Sequence, residues 1–262
     1  MLRALWAYRG FVLGSIAREF QLRYMNSALG ALWTIINPLA MILVYTVVFS
    51  RLMKARLVGN DDPLAYTIFL CSGTFAWTYF SEVILRASTM FLDQANLLKK
   101  SAFPRICLPA IVLGSATVNF AIIFSLFSLM LVLFGRFPGI YILGILPLLI
   151  IQQVLAVGLG LLVGTLNVFF RDVGHIVGIT LQFWFWLTPV IYPLSILPPR
   201  FQELAGTLNP MASIMTGYQD AMLHGKWPDY AACELHVALA LAVALLGLTV
   251  YRRLSGAVVD EL

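Results

Sequence analysis

Charged side chains are scarce in this 262-residue sequence: Asp, Glu, Lys and Arg together make up 11%, where a soluble domain carries about 25%. With 61% hydrophobic residues and a mean hydropathy of +0.90, that scarcity excludes an ordinary water-soluble protein and a disordered chain. Cysteine is scarce too. Cys71, Cys107 and Cys233 form no CxxC pair and read as small buried hydrophobes, which excludes a disulfide framework. No GxxxxGK[ST] phosphate loop occurs, and GLGLLVG (158–164) falls in the middle of an apolar run, where Gly160 and Gly164 read as close helix packing. The chain is therefore not expected to hydrolyse ATP alone. There is no HExxH and no GxSxG; His175 and His236 are isolated, so neither a metal nor a bound cofactor is expected. HGKWPD (224–229) matches the H-x4-D spacing of some acyltransferases, but Pro228 interrupts it in a loop expected outside. Buried acids of the kind that couple transport to protons or sodium are nearly absent. Glu82 stands near the end of one apolar run with Arg86 four residues on, and the two read as a local ion pair.

What is present is a series of charge-free windows at 24–50, 63–81, 106–135, 137–170, 173–199 and 235–251. A bilayer core of about 30 Å needs roughly 20 helical residues. The expectation is an all-α integral membrane protein with six transmembrane helices, at about 31–50, 64–85, 109–134, 141–166, 174–196 and 232–251. Six crossings put both termini on one side. That side carries Arg3, Arg9, Arg18, Arg23, Arg86, Lys99, Lys100, Arg105, Arg171, Arg252 and Arg253, eleven of the 17 basic residues, so it is cytoplasmic. A multi-pass protein of a bacterial inner membrane with both termini in the cytoplasm is the expected placement.

Residues 1–30 read as an amphipathic helix lying in the inner-leaflet interface, with Leu2, Leu5, Trp6, Leu13, Ile16, Phe20 and Tyr24 at helical spacing. The loop 86–108 is the longest cytoplasmic one and too long to be only a connector. Between 197 and 231, Pro198, Pro199, Pro210 and Pro228 cut out two apolar pieces too short to span, at about 200–208 and 211–223. They read as short re-entrant helices before the last span, tolerated only where they cap a cavity or pore. Met211 and Met215 are the candidate outer-gate residues on the second piece.

Aromatics make up 13% of the chain, more than an interfacial belt requires. Rings pack against the C–H faces of sugars and leave the hydroxyls wet, so Tyr45, Trp77, Trp184 and Trp186 are candidates for a channel lining over which a neutral polymer slides.

Several stretches resemble one family. RYMNSALGALWTIINPLAMILVYTVVFS (23–50), LLKKSAFPRICLP (97–109), GTLNVFFRDVGHIVGITLQFWFWLTPVIYPLSILPP (164–199) and LNPM (208–211) are similar, in order, to bacterial ABC exporter permeases for lipid-linked polysaccharides, most closely the O-antigen (lipopolysaccharide) type. The resemblance implies a homodimer bound to two separately encoded ATP-binding cassette subunits, which would use the ATP and Mg. It implies a substrate polymer carried on undecaprenyl diphosphate and threaded through a channel lined by spans one and five. It also implies that residues 90–105 form the coupling element, with Leu97, Leu98, Lys99, Lys100, Phe103 and Arg105 facing the ATPase. Arg18, Arg23 and Arg171 would receive the lipid diphosphate, since such a group needs cationic partners at the inner face. Membrane lipid is the other expected partner, and nucleic acid is not one. Capsule or teichoic-acid permeases and drug or lipid exporters are the alternatives within the class. An integral-membrane acyl- or glycosyltransferase is the alternative outside it, with only the H-x4-D match in its favour.

Overall fold

The computed structural model describes residues 6–23, 29–53, 57, 62–100 and 104–261. They are helical throughout, with turns and short 3-10 segments between. Helix α1 is Arg9–Arg23; α2 is Trp33–Tyr45, continued by a π-helical Thr46–Leu52; α3 is Ala65–Asp93 and α4 Ala95–Lys100; α5 is Cys107–Leu133 and α6 Ile145–Phe169; α7 is Asp172–Leu187; α8 is Pro199–Leu208 and α9 Pro210–Leu223; α10 is Glu234–Leu254 and α11 Ala257–Glu261. Among the described residues five helical stretches are long and apolar enough to cross a membrane: Trp33–Ser50, Ala65–Asp93, Cys107–Leu133, Gly139–Phe169 and Ala231–Leu254. Each falls on a span expected from the sequence.

Two boundaries differ from expectation. Helix α3 runs on past residue 85 to Asp93, because Ala87, Met90 and Phe91 continue its buried face for two more turns. The long loop thus opens with a hinge at Gln94 and the six-residue α4, and the chain is described again from Pro104 into α5. The fifth expected span, 174–196, is helical only to Leu187, giving a 16-residue α7. At about 1.5 Å per residue that helix rises about 24 Å, short of a bilayer core. Thr188 is already extended and Pro189 follows, so the chain cannot continue the helix there.

Helix α3 is the centre of the bundle, touching α5, α6, α7 and α9, while α6 also packs along α10. Glycines make the closest of these approaches possible. A Cβ on Gly164 would stand 2.3 Å from the Ala87 carbonyl oxygen, and one on Gly160 would stand 2.6 Å from the Ala87 Cβ. On the opposite face of α6, a Cβ on Gly247 of α10 would meet the Gly158 oxygen at 2.2 Å. The run 158–164 is therefore a two-sided packing surface, as its small residues imply. Several polar groups of the core are paired across helices, whereas the ring nitrogens of His236 are buried without a hydrogen-bond partner among the described residues. Gln152 donates to the Ala76 carbonyl and accepts from the Tyr218 hydroxyl, at 2.6 and 3.2 Å. Asn167 donates to the Ser88 carbonyl at 2.8 Å and accepts from the Gly174 N–H at 2.9 Å, fixing the turn from α6 into α7. Cys71, Cys107 and Cys233 are buried and unbridged.

Candidate functional site

The two ends of α3 carry different machinery. At its first turns lies the irregular segment 188–192. Its backbone is satisfied by side chains: the Tyr66 hydroxyl donates to the Ile191 carbonyl at 2.8 Å, and Gln219 donates to the Pro189 carbonyl at 3.0 Å. Val190 is fully buried, and Gly73 lets it approach, since a Cβ there would sit 3.2 Å from the Val190 oxygen. Non-helical backbone at membrane depth requires this kind of burial in protein. Asn209 joins the segment to the next helix. Its Oδ1 caps α9 by accepting from the Met211 N–H at 3.1 Å and also accepts from the Trp184 indole at 2.8 Å; its amide donates toward Thr188 Oγ1 at 3.0 Å.

The expected gate residues Met211 and Met215 are fully buried in α9, against the central core rather than facing open space. HGKWPD has a structural role: Gly225 turns the chain at φ +55° and Lys226 pairs with Asp220 at 3.1 Å. Asp229 then accepts from the backbone N–H groups of Ala231 and Ala232 ahead of α10. His224 and Asp229 do not act as a pair.

The aromatic candidates divide. Trp77 is 6% exposed and lies in one cluster with Phe80, Trp184 and Phe185, with ring centroids 5.4–6.0 Å apart. Trp186 is 59% exposed and touches that cluster only through Phe185. Tyr45 belongs to a second group, meeting Phe49 at 6.2 Å, which in turn meets Tyr66 at 5.3 Å. The structure thus brings Trp77 and Trp184 together and leaves Tyr45 and Trp186 apart from each other.

At the far end of α3, helix α1 lies across α5, with Ile16 in the space left by Gly114. Arg86 pairs with Glu19 of α1 at 2.6 Å and with Glu82 at 3.3 Å. Glu82 also accepts from the Asn119 amide at 2.9 Å, and Glu19 from the Ser115 hydroxyl at 2.9 Å. The Glu82–Arg86 pair was legible in the sequence. Glu19 was not, because the sequence marks α1 only as a helix with its apolar stripe in the lipid interface and assigns no partner on the bundle to its polar side. In the structure Leu13 and Leu22 are exposed while Glu19 turns toward the bundle. Beside this network opens a cleft of about 670 Å³ lined by residues of α1, α3 and α5, including Arg18.

Arg171 is exposed ahead of α7 and makes no ion pair with Asp172 among the described residues. Arg23 closes α1. Of the coupling candidates, Leu97, Leu98, Lys99 and Lys100 fall on α4. Leu98 is buried in a cluster with Phe91, Val168, Tyr251 and Val258, while Lys99 is exposed. Arg105 is half-buried, and Phe103 lies outside the described residues. Among the described residues no cluster of His, Cys, Asp or Glu stands ready to hold a metal.

An all-helical bundle with five stretches of spanning length among the described residues is the architecture of a multi-pass membrane protein. Residues 12–223 match the family described as ABC-2 type transporter, and the chain belongs to that family. It is 32% identical to the O-antigen export system permease protein RfbA of Myxococcus xanthus, over 94% of this chain and 92% of that one. Similarity to a Klebsiella pneumoniae protein of the same name is 27% identity over 90% of this chain and 89% of that one. The polysialic acid transport protein KpsM of Escherichia coli is more distant, at 20% identity over 90% of each.

Proposed function

We propose that the chain is the channel-forming membrane subunit of an ATP-driven exporter that moves undecaprenyl-diphosphate-linked polysaccharide of the O-antigen type from the cytoplasmic to the periplasmic side of the bacterial inner membrane. The observation that carries this reading is the near full-length similarity to O-antigen export permeases, which is closer than that to the capsule-type KpsM. The ATPase is a separate chain using ATP and Mg, in keeping with a sequence that contains no phosphate loop. Two such subunits act on a homodimer of this chain. The exposed apolar faces of α2 (Ile36, Leu39, Leu43) and α7 (Ile179, Phe183, Trp186) are the surfaces proposed to meet the second copy and to border the channel.

The chain crosses the bilayer six times in this reading. The sixth crossing is α7, extended by residues 188–196, and the excess of basic residues holds both termini in the cytoplasm. Helices α8 and α9 are then the external re-entrant pair, and the α9 core around Met211 and Met215 seals the outer mouth. Helix α4 carries the coupling surface. Arg23 and Arg171 are the side chains proposed to receive the lipid diphosphate at the inner face, with Arg18 adding only long-range positive charge.

The test is deletion of the gene, followed by electrophoresis of surface polysaccharide and extraction of undecaprenyl-linked polymer. Loss of lipopolysaccharide-linked polymer with accumulation of the lipid-linked form inside is expected. Unchanged surface polymer would sink the reading, and loss of a capsule alone would replace it with the capsule-type one.

A further inference from the structure

We propose that the cleft between α1, α3 and α5 holds one zwitterionic glycerophospholipid with an ethanolamine-type headgroup, its phosphate on Arg18 and its ammonium on Asp93. The proposal goes beyond polymer export and needs only that the chain resides in a membrane. Four charged residues line the cleft: Arg18, Glu19, Arg86 and Asp93. Arg86 and Glu19 satisfy each other at 2.6 Å, and Arg86 also takes Glu82. That leaves one cation and one anion. Among the described residues Arg18 makes no hydrogen bond or ion pair. Among the described residues the Asp93 carboxylate accepts only from Thr89 of its own helix, at 2.7 Å. They stand on opposite walls, Arg18 on the interface helix and Asp93 at the last residue of α3.

Below these charges the lining is apolar, with Phe11 and Leu22 exposed on α1 and Met90, Leu108 and Val112 behind them. Gly10 and Gly14, one turn apart on the α1 wall, have nothing within 4 Å of where a Cβ would stand, so the space in front of them is open. The volume, about 670 Å³, is that of a small-molecule site. A phosphodiester suits Arg18, and an ammonium suits a carboxylate. A headgroup carrying only negative charge would satisfy Arg18 and leave Asp93 facing its own sign. A diphosphate would do so more strongly, with Glu19 also nearby. Charge complementarity therefore favours the zwitterion.

The experiment is native mass spectrometry of the full-length chain, together with the ATPase that copurifies with it, equilibrated in mild detergent with equal amounts of phosphatidylethanolamine and phosphatidylglycerol. One phosphatidylethanolamine per chain, favoured at least ~tenfold over phosphatidylglycerol, is expected. Arg18→Gln should weaken retention of both lipids. Asp93→Asn should keep phosphate binding and erase the preference. Gly14→Leu fills the open wall with a better helix former, so it should expel the lipid while the thermal midpoint shows a folded chain. Equal retention of both lipids by the unaltered protein, or full retention by Gly14→Leu, overturns the proposal. So does displacement of the phospholipid by undecaprenyl diphosphate in the unaltered chain, which would assign the cleft to the transported lipid. Loss of export with phospholipid retention intact would bear on the transport reading alone.

Discussion

Glu19 of α1 and Arg86 of the central helix α3 meet at 2.6 Å, and this ion pair ties α1 to the bundle. Arg86 is shared, since Glu82 also reaches it at 3.3 Å and is itself held by Asn119. Removing the cation leaves two carboxylates facing each other near the C-terminal end of α3. Arg86→Gln is therefore expected to destabilise the chain by about 1–3 kcal/mol and to free α1, read as a lower thermal midpoint and faster proteolysis at residues 9–23. Exchanging the charges, Glu19→Arg with Arg86→Glu, should fail to restore stability, because the new carboxylate at position 86 would face Glu82. Full rescue by the exchange would show that Glu82 is not part of the network.

The packing of α6 gives a sharper contrast. Gly164→Ala and Gly247→Ala each press a methyl group onto a backbone oxygen, at 2.3 and 2.2 Å. Backbone cannot rotate away as a side chain can, so each should cost at least about 1–3 kcal/mol. Gly178→Ala on α7 meets nothing within 4 Å and removes a helix-interior glycine, so it should be neutral or stabilising by up to about 1 kcal/mol. Thermal denaturation of the three variants in one detergent checks the order, and equal midpoints would mean that the helices can separate without loss.

Much of this bundle was legible beforehand for a physical reason. A charge-free run of spanning length has almost no alternative to a membrane helix, and small residues one turn apart mark close packing. Boundaries set by tertiary contact were less legible. The end of α3 was hidden because Arg86 and Asp93 look like loop residues until Ala87, Met90 and Phe91 are seen to continue the buried face. The end of α7 was hidden for the opposite reason: TPVIYP is apolar enough to pass for a span, and the side chains that hold its bent backbone, Tyr66 and Gln219 among them, are distant in sequence. Glu19 was missed because its partner lies on another helix. The aromatic positions were found as a set, but which ring is buried depends on neighbours that no spacing reveals.

Helix α4 separates two kinds of candidate coupling residue. Leu98 is turned into the cluster of Phe91, Tyr251 and Val258, whereas Lys99 is exposed on the surface open to a partner. Leu98→Asp buries a carboxylate among apolar side chains, so it should release α4 from the bundle and lower stability by several kcal/mol. Lys99→Glu should leave the thermal midpoint unchanged while reducing copurification of the ATPase and export. If Lys99→Glu copurifies and exports normally, the exposed face of α4 is not the coupling surface.

The tryptophans offer the same separation at the other end of the molecule. Trp77, 6% exposed, is enclosed by Phe80, Trp184 and Phe185. Its truncation to alanine opens a cavity in the core and should cost about 3–5 kcal/mol, so loss of export in Trp77→Ala would follow from unfolding. Trp186, 59% exposed, has little of its ring in the chain's own core. Trp186→Ala should leave the isolated chain's thermal midpoint nearly unchanged. If its ring stacks on the sugars of a passing polymer, each lost contact weakens the bound state by about 0.5–1.5 kcal/mol, and export should slow by about two- to tenfold without stopping. Trp186→Phe keeps a stacking face and should recover most of the rate, whereas Trp186→Leu keeps the apolar bulk without an aromatic face and should not. Equal recovery by phenylalanine and leucine would mean that the position needs only bulk, as a contact with the second copy or with lipid would require, and the sugar path would then lie elsewhere.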